Sequence, residues 1–243
     1  KPNWCNLFKV GIGPNNDLII KNFKDHLEGS SFDLYYKETL WAKINWGLHG
    51  LFNARNAAIA AMSASIINKY DGIPLLDLTC INDFKGVSKR QDFLFQSKDI
   101  LIVDDFGHHP TALLNTINSF RDIYIDYDLI VCFEPRSNTS KTNLFQLEFA
   151  RSLSIADHVK IGKVYNKEKM NNKRILDTYE LSRSLINEVK SAVAYDDNAK
   201  LLESLYKLLK SNKESKKKSL VLFFTNGDFD GISKKLVNYF IKD

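Results

Sequence analysis

The sequence predicts an α/β fold built on a mostly parallel sheet with helices on both faces. Three observations predict it. Residues 100–103 (ILIV), 129–133 (LIVCF) and 220–224 (LVLFF) are apolar at every position, the pattern of strands buried on both sides. Each is followed by a polar loop and then by an amphipathic stretch, the order in which crossover helices join parallel strands. The composition, 44% apolar and 26% charged over 243 residues, is that of a globular chain of about one to two domains.

The elements follow in order. Residues 7–12 read as a strand, and Gly13-Pro14-Asn15-Asn16 as a turn. Residues 31–36 alternate Phe32, Leu34 and Tyr36, which predicts another strand. From 51 to 69 the spacing becomes helical, with Ile59, Met62 and Ile66 forming an apolar stripe in an alanine-rich segment. A short helix is expected from Pro74, a favourable first-turn residue, to Phe84. After residue 86 the strand, loop and helix order sets in. The strand at 100–103 precedes a helix carrying Leu113, Leu114, Ile117 and Phe120, and the strand at 129–133 precedes a helix over 144–153. A short strand is expected at 158–161, a polar surface excursion over 164–176, and helices over 178–190 and 197–211, the second with Leu201, Leu202, Leu205, Leu208 and Leu209. The strand at 220–224 leads to a helix carrying Ile232, Leu236 and Phe240. Residues 213–218 read as a solvated basic linker.

Composition narrows the function. The 34 Lys and Arg against 29 Asp and Glu give a net charge of +5. No basic stripe accompanies it, so no nucleic-acid partner is expected. No apolar run approaches the roughly 20 residues that span a bilayer, so no membrane insertion is expected. The three cysteines, Cys5, Cys80 and Cys132, are neither paired in number nor in CxxC spacing, which fits a reducing cytoplasm. No secretory signal opens the chain, and its start at Lys1 without a methionine predicts that upstream residues belong to it.

Ligands of an open α/β sheet bind beyond the carboxyl ends of its strands. Three polar loops should therefore share one edge: Asp104-Asp105-Phe106-Gly107-His108-His109-Pro110, Glu134-Pro135-Arg136-Ser137-Asn138-Thr139-Ser140-Lys141, and Thr225-Asn226-Gly227-Asp228-Phe229-Asp230-Gly231. Adjacent carboxylates after a strand suit a ribose diol or a Mg²⁺ shell, and an imidazole can orient a substrate or accept a proton. The plainer reading is that an aspartate caps the next helix, with Pro110 in its first turn. Arg136 and Lys141 suit a carboxylate or phosphate, or an exposed loop ion pair. The loop at 225–231 offers backbone N–H groups ahead of a helix, a possible anion nest. Neighbouring histidines without a thiolate are a poor zinc set, and no protein-ligated metal is predicted. Gly11 and Gly13 lack a third glycine and a following helix, and GxxxxGK[ST] is absent from the chain.

Taken together, these segments resemble the Mur ligase family, the ATP-dependent amide-forming enzymes of peptidoglycan assembly. Residues 47–54, GLHGLFNA, are similar to the family's GxHNxxNA, and residues 86–92, GVSKRQD, to GVKRRQE. Residues 104–110, DDFGHHP, match DD[FY][AG]HHP. Residues 133–139, FEPRSNT, resemble the muropeptide-recycling branch, whereas the L-alanine-adding branch carries FQPHRYT there. Residues 225–232, TNGDFDGI, resemble SNGGFGGI of the recycling branch. The likeness covers essentially the whole chain. Its departures are Gly50 for the first Asn near the adenine, Ser88-Lys89 for Lys-Arg, and Asp228 and Asp230 for two glycines. Aspartate tolerates left-handed backbone better than most residues, but the added charge predicts altered contacts to the peptide.

The resemblance implies that residues 1–86 are the rear portion of a P-loop-type central ATPase domain and residues 87–243 a Rossmann-like carboxy-terminal domain. The phosphate loop and the UDP-binding domain would lie upstream in the same protein, and this chain alone would be inactive. It further implies an ATP- and Mg²⁺-dependent ligase joining UDP-N-acetylmuramate to the murein tripeptide L-Ala-γ-D-Glu-meso-diaminopimelate through an acyl phosphate. Asn53 would contact adenine, Asp105 the ribose and Arg90 the γ-phosphate, with His108 and Arg90 at the reacting centre. His109, Arg136, Ser137, Asn138, Thr139, Asn226 and Gly227 would line the peptide site. The carboxy-terminal domain would close over the nucleotide by a hinge. The alternatives are addition of free L-alanine to UDP-N-acetylmuramate, and a non-catalytic nucleotide- or peptide-binding module of the same fold.

Overall fold

A computed structural model describes residues 4–68, 76–169 and 175–242. The chain divides into two compact units, Lys1–Gly86 and Val87–Asp243.

In the first unit, strands β1 (Val10–Gly11), β2 (Leu18–His26), β3 (Gly29–Tyr36) and β4 (Thr39–Trp46) form a four-stranded sheet in chain order. β1 runs parallel to β2, and the β2–β3 and β3–β4 pairs are antiparallel. The strand expected at 7–12 shrinks to Val10–Gly11. β2 and β4 were not anticipated. In β2 the alternation breaks where the register shifts between Lys21 and Lys24, with Asn22 at φ 54°, a bulge that hides the period of two. The β3–β4 turn is made by Lys37 and Glu38, both at positive φ (44° and 69°). Two-residue hairpin turns favour Asn-Gly there, so no turn signal marked it. Gly29 has φ 137°, and a side chain there would overlap the Trp46 carbonyl.

Helix α1 (Leu51–Ile67) packs on this sheet, but not by the expected stripe. Its buried face is Ala54, Ala57, Ala58, Ala61, Met62 and Ser65, while Ile59 and Ile66 are 53% and 45% exposed. The small residues let the helix lie against the large side chains of the sheet, Phe32, Leu34, Tyr36, Ile44 and Trp46. The helix expected from Pro74 to Phe84 is, among the described residues, a single 3-10 turn at Thr79–Ile81, opened by Asp77 accepting from the Thr79 amide at 2.9 Å. Pro74 itself lies outside the described residues.

The second unit carries strands β5 (Asp92–Gln96), β6 (Ile100–Asp105), β7 (Tyr127–Phe133), β8 (His158–Ile161), β9 (Ser191–Ala194) and β10 (Lys218–Phe224). Among the described residues they form a six-stranded sheet in the order β5-β6-β10-β7-β8-β9, parallel except for β5. Helices α2 (Pro110–Ile123), α3 (Gln146–Leu153) and α4 (Thr178–Ser184) cover one face, and α5 (Asn198–Glu214) and α6 (Ile232–Lys242) the other. This is the predicted α/β architecture with a mostly parallel, doubly covered sheet.

Boundaries differ from expectation where short elements intervene. The helix expected over 178–190 ends at Ser184, and the edge strand β9 follows. The antiparallel edge strand β5 was not anticipated. The helix expected from 144 begins at Gln146, after a 3-10 turn at Asn143–Phe145. The linker expected at 213–218 shrinks to the turn at residues 215–217, because α5 runs to Glu214 and β10 starts at Lys218. Part of the excursion at 164–176 lies outside the described residues, which stop at 169 and resume at 175.

The insertion of β10 between β6 and β7 positions the site. Phe224, the last residue of β10, is in register with Asp105 on one side and Phe133 on the other. The three polar loops therefore leave the same edge of the sheet.

Candidate functional site

Side chains alternate across a strand, so Asp104 and Asp105 point to opposite faces of β6. Leu101 and Val103 belong to the core under α2 and α3, and Ile100 and Ile102 to the core under α5 and α6. Asp105 shares the first face. One carboxylate oxygen accepts from the Gly107 amide at 2.7 Å and the other from the Gln91 amide at 3.1 Å, and the residue is 5% exposed. Burial raises its pKa, against those two amides and the Arg90 charge. As it stands, Asp105 clamps two backbone segments and presents no open oxygen to a ribose. Asp104 lies on the other face, where the Ser233 hydroxyl donates to Oδ2 at 3.2 Å. Its Oδ1 has no hydrogen-bond partner among the described residues, and burial pushes its pKa up to about 6.

The two imidazoles do different work. His108 Nδ1 lies 3.0 Å from the Phe106 carbonyl. A carbonyl only accepts, so Nδ1 carries a proton, and in the neutral ring Nε2 is the acceptor. The His108 ring also meets Phe106 edge to face at 5.3 Å. His109 caps α2, its Nδ1 accepting from the Thr111 amide at 3.3 Å, with Pro110 at the first turn and the Phe145 ring at 5.0 Å. The cap on this helix is thus His109 and not an aspartate, and its ring is engaged in structure.

Arg90 enters through a strained segment, in which Lys89 and Gln91 take φ 60° and 52°. The Phe106 amide donates to the Lys89 carbonyl at 2.6 Å, and the Arg90 guanidinium lies 5.0 Å over the Phe106 ring. Lys89 Nζ donates to the Gly227 carbonyl. The segment is therefore stitched to the loops after β6 and β10. Strain of this kind persists only where surrounding contacts enforce it.

Around Arg136 the contacts are closest. Its guanidinium sits 3.7 Å from the centre of the Tyr165 ring, with Nη1 3.4 Å from Asp228 and 3.7 Å from Oε1 of Glu134. Glu134 is 1% exposed, and burial raises its pKa against the Thr225 hydroxyl and Arg136. Thr225 donates its hydroxyl to Glu134 Oε2 and accepts from the Gly227 amide at 2.9 Å. A methyl group on Gly227 would overlap Nε and Cδ of Arg136, so only glycine leaves room for that side chain. Ser137 turns back into its own loop through Ser140, whose hydroxyl accepts from the Arg136 and Ser137 amides at 3.1 and 2.9 Å. Thr139 offers its carbonyl to Thr142 at 3.2 Å, and Asn138 is exposed. Asn226 Oδ1 is buried without a hydrogen-bond partner among the described residues.

Asp230 takes the left-handed backbone that aspartate tolerates, at φ 52°. Lys163, 2.9 Å away, holds its carboxyl below the usual range, and Asn198 donates to it at 3.0 Å. Its charge is spent there and not at Arg136. Asp228 is the aspartate that reaches Arg136, and its side chain is 73% exposed.

The structure thus brings Arg90, Asp105, His108, Arg136, Ser137, Asn138, Thr139, Asn226 and Gly227 to one edge, with His109 at the cap. Asn53 belongs to the first unit, in the opening turn of α1, and donates its side-chain amide to the His49 carbonyl at 2.8 Å. Gly50 precedes it at φ 87°, where a side chain would overlap the Phe52 ring. The neighbouring His49 is buried, and its pKa falls to about 4 through burial and the proximity of His26. Sequence reasoning placed Glu134 and Ser140 in a loop at this edge without giving either a role, and it missed Tyr165. Glu134 was signalled by its place at the end of β7. Tyr165 carried no signal, because it follows a different strand.

The Arg90 guanidinium, which lies over the Phe106 ring and has no carboxylate within ion-pair distance among the described residues, fits the charge of a phosphate. No group of three or more His, Cys, Asp or Glu among the described residues is placed to hold a metal ion. Asp104 and Asp105 point to opposite faces of β6 and are engaged by Ser233 and by two backbone amides, so the acidic loop does not gather them into a Mg²⁺ cage.

Comparison with known proteins bears on this arrangement. The family model for the Mur ligase glutamate ligase domain matches residues 89–227. The UDP-N-acetylmuramate–L-alanine ligase of Carboxydothermus hydrogenoformans is 29% identical over 160 residues, 65% of this chain and 33% of that protein. The crystal structure of the UDP-N-acetylmuramate-alanine ligase of Thermotoga maritima superposes on 95% of this chain and 47% of its own with a TM-score of 0.70 at 20% identity. A murein peptide ligase from Psychrobacter arcticus matches 95% of this chain and 45% of its own, with a TM-score of 0.62 at 25% identity. The chain spans between a third and a half of the length of these proteins.

Proposed function

This chain belongs to the Mur ligase family, whose model covers more than half of it, and on that premise we propose that it is the acceptor-binding part of an ATP-dependent peptidoglycan ligase. Its substrates would be UDP-N-acetylmuramate and the tripeptide L-Ala-γ-D-Glu-meso-diaminopimelate, joined through an acyl phosphate. Residues 1–86 would form the rear of the central ATPase domain and residues 87–243 the carboxy-terminal domain.

One observation carries the choice of acceptor. Arg136 is a held guanidinium at the rim of the loops, gripped by Tyr165, Glu134 and the space left by Gly227. A fixed guanidinium pairs with a planar carboxylate bidentately. The tripeptide carries carboxylates remote from its reacting amine, whereas alanine has one, beside the amine. A separate cationic anchor suits the longer acceptor, and FEPRSNT points the same way.

ATP supplies the phosphoryl group that activates the lactyl carboxylate. The residues of this chain then position and neutralise. Arg90 offers positive charge over Phe106 for phosphate oxygens. His108, with Nδ1–H tied to a carbonyl, has Nε2 available to take a proton from the incoming ammonium. The freed amine attacks the acyl carbon, the C–N bond forms as the C–O bond to phosphate breaks, and the second amine proton leaves with the phosphate. Arg136 holds the far end of the acceptor, so that the attack proceeds within a bound pair. The ribose role of Asp105 requires that its clamp on Gly107 and Gln91 open first.

A second reading is addition of free L-alanine, favoured by the 29% identity to a ligase of that specificity. Ligation by the full-length protein, with L-alanine and the tripeptide offered separately, separates the two. Tripeptide-dependent phosphate release supports the first, and alanine-dependent release the second. ATP binding without release in either case would leave only a non-catalytic module.

A further inference from the structure

We propose that Tyr165 is the positioning residue that makes Arg136 a fixed carboxylate receptor, with Glu134 as its buried counter-charge. The acceptor chemistry rests on the function proposed above; the socket itself rests on geometry alone.

Arg136 emerges from the loop after β7, and Tyr165 from the loop after β8. These strands are parallel neighbours, with Phe133 in register with Ile161. The two loops are tied where they matter, because the Tyr165 amide donates to the Pro135 carbonyl at 3.0 Å, one residue before the arginine. The phenol ring then forms one wall, 3.7 Å from the guanidinium carbon. The bare Cα of Gly227 leaves the space that Nε and Cδ pass through. Below lies Oε1 of Glu134, a buried carboxylate oxygen with no hydrogen-bond donor among the described residues, 3.7 Å from Nη1. Its other oxygen is taken by Thr225. The remaining contact is Asp228 at 3.4 Å, on an exposed side chain.

These contacts differ in permanence. Tyr165, Gly227 and Glu134 are built into the rim. Asp228 is a solvent-exposed carboxylate, and exposed pairs of this kind contribute little. It is the one member that an incoming carboxylate can replace without loss of charge balance. The guanidinium therefore need not search for its ligand: its rotamers are already restricted before binding, which lowers the entropic cost of capture. Stacking on an aromatic face holds the guanidinium in place, so removing the ring should weaken carboxylate capture by about tenfold.

The test uses residues 1–243 in two arms. Without ligand, NMR of the wild type should show the Arg136 side-chain protons shifted upfield by the tyrosine ring. Tyr165→Phe should keep that shift, and Tyr165→Leu and Gly227→Ala should abolish it. Titration with the tripeptide, followed by calorimetry, should then give wild-type affinity for Tyr165→Phe and about tenfold weaker binding for Tyr165→Leu. Gly227→Ala, which displaces the arginine from the other side, should weaken binding similarly and guards against a folding defect peculiar to position 165. Absence of the upfield shift in the wild type, or equal affinity of Tyr165→Leu and wild type, overturns the proposal. An intact shift in a wild type that binds no tripeptide upholds the socket and refutes the acceptor assigned above.

Discussion

At pH 8, Asp104→Asn is expected to stabilise the second unit by a net of up to about 2 kcal/mol. Asp104 is 6% exposed, and burial moves its carboxyl from 3.8 to about 6. Its folded form thus holds a proton more tightly than its unfolded form. At 1.36 kcal/mol per pKa unit, ionising the group in the folded chain costs about 3 kcal/mol relative to the unfolded chain. The sign follows from the raised value: the penalty is absent below pH 4, grows between pH 4 and 6, and is complete above that. Asparagine removes the charge, and its carbonyl can still accept from Ser233. Its amide gains no partner where Oδ1 had none, and an unsatisfied polar group returns about 1–3 kcal/mol of the gain. Urea unfolding of wild type and variant at pH 4 and pH 8 measures both ends. The variant should gain stability relative to wild type as pH rises. A difference that is constant with pH, or that falls as pH rises, would refute the account of a strained buried carboxylate.

Three further outcomes follow from the geometry. Gly50→Ala puts a methyl group into the Phe52 ring at φ 87°, and thermal unfolding should show a loss of at least 1–2 kcal/mol. In the complete ligase, His108→Gln should lower turnover by about 10²–10⁴ with little change in the Michaelis constant for the acceptor, as read by phosphate release. Residues 1–243, which contain no GxxxxGK[ST] loop, should catalyse no ATP-dependent ligation unaided, and any tripeptide-dependent phosphate release by them would contradict the proposed domain roles.

The central strands were legible because they are buried on both faces and read as unbroken apolar runs. β6, β7, β8 and β10 lie within a residue or two of their expected places. The edges were not legible for the opposite reason. β5 and β9 are short and half-exposed, and such strands are fixed by neighbours rather than by their own pattern. α1 was found by its period but oriented wrongly, because alanine counts little in an apolar stripe and yet permits the closest packing. The convergence of the three loops followed from chain order alone. Tyr165 did not, since only the adjacency of β7 and β8 brings it beside Arg136. The two aspartates at 228 and 230 looked equivalent in sequence. Lys163 separates them, neutralising Asp230 and leaving Asp228 exposed beside Arg136.

The middle place of β10 has a consequence for how the protein is made. The strand synthesised last among the six is the one on which both β6 and β7 depend for their pairing. Until the ribosome has released it, the earlier strands expose two unpaired edges of apolar backbone, the condition that invites misassociation. A nonsense variant upstream of Lys218 would therefore split the sheet into halves rather than trim its margin, leaving an insoluble product in place of a slightly weakened one.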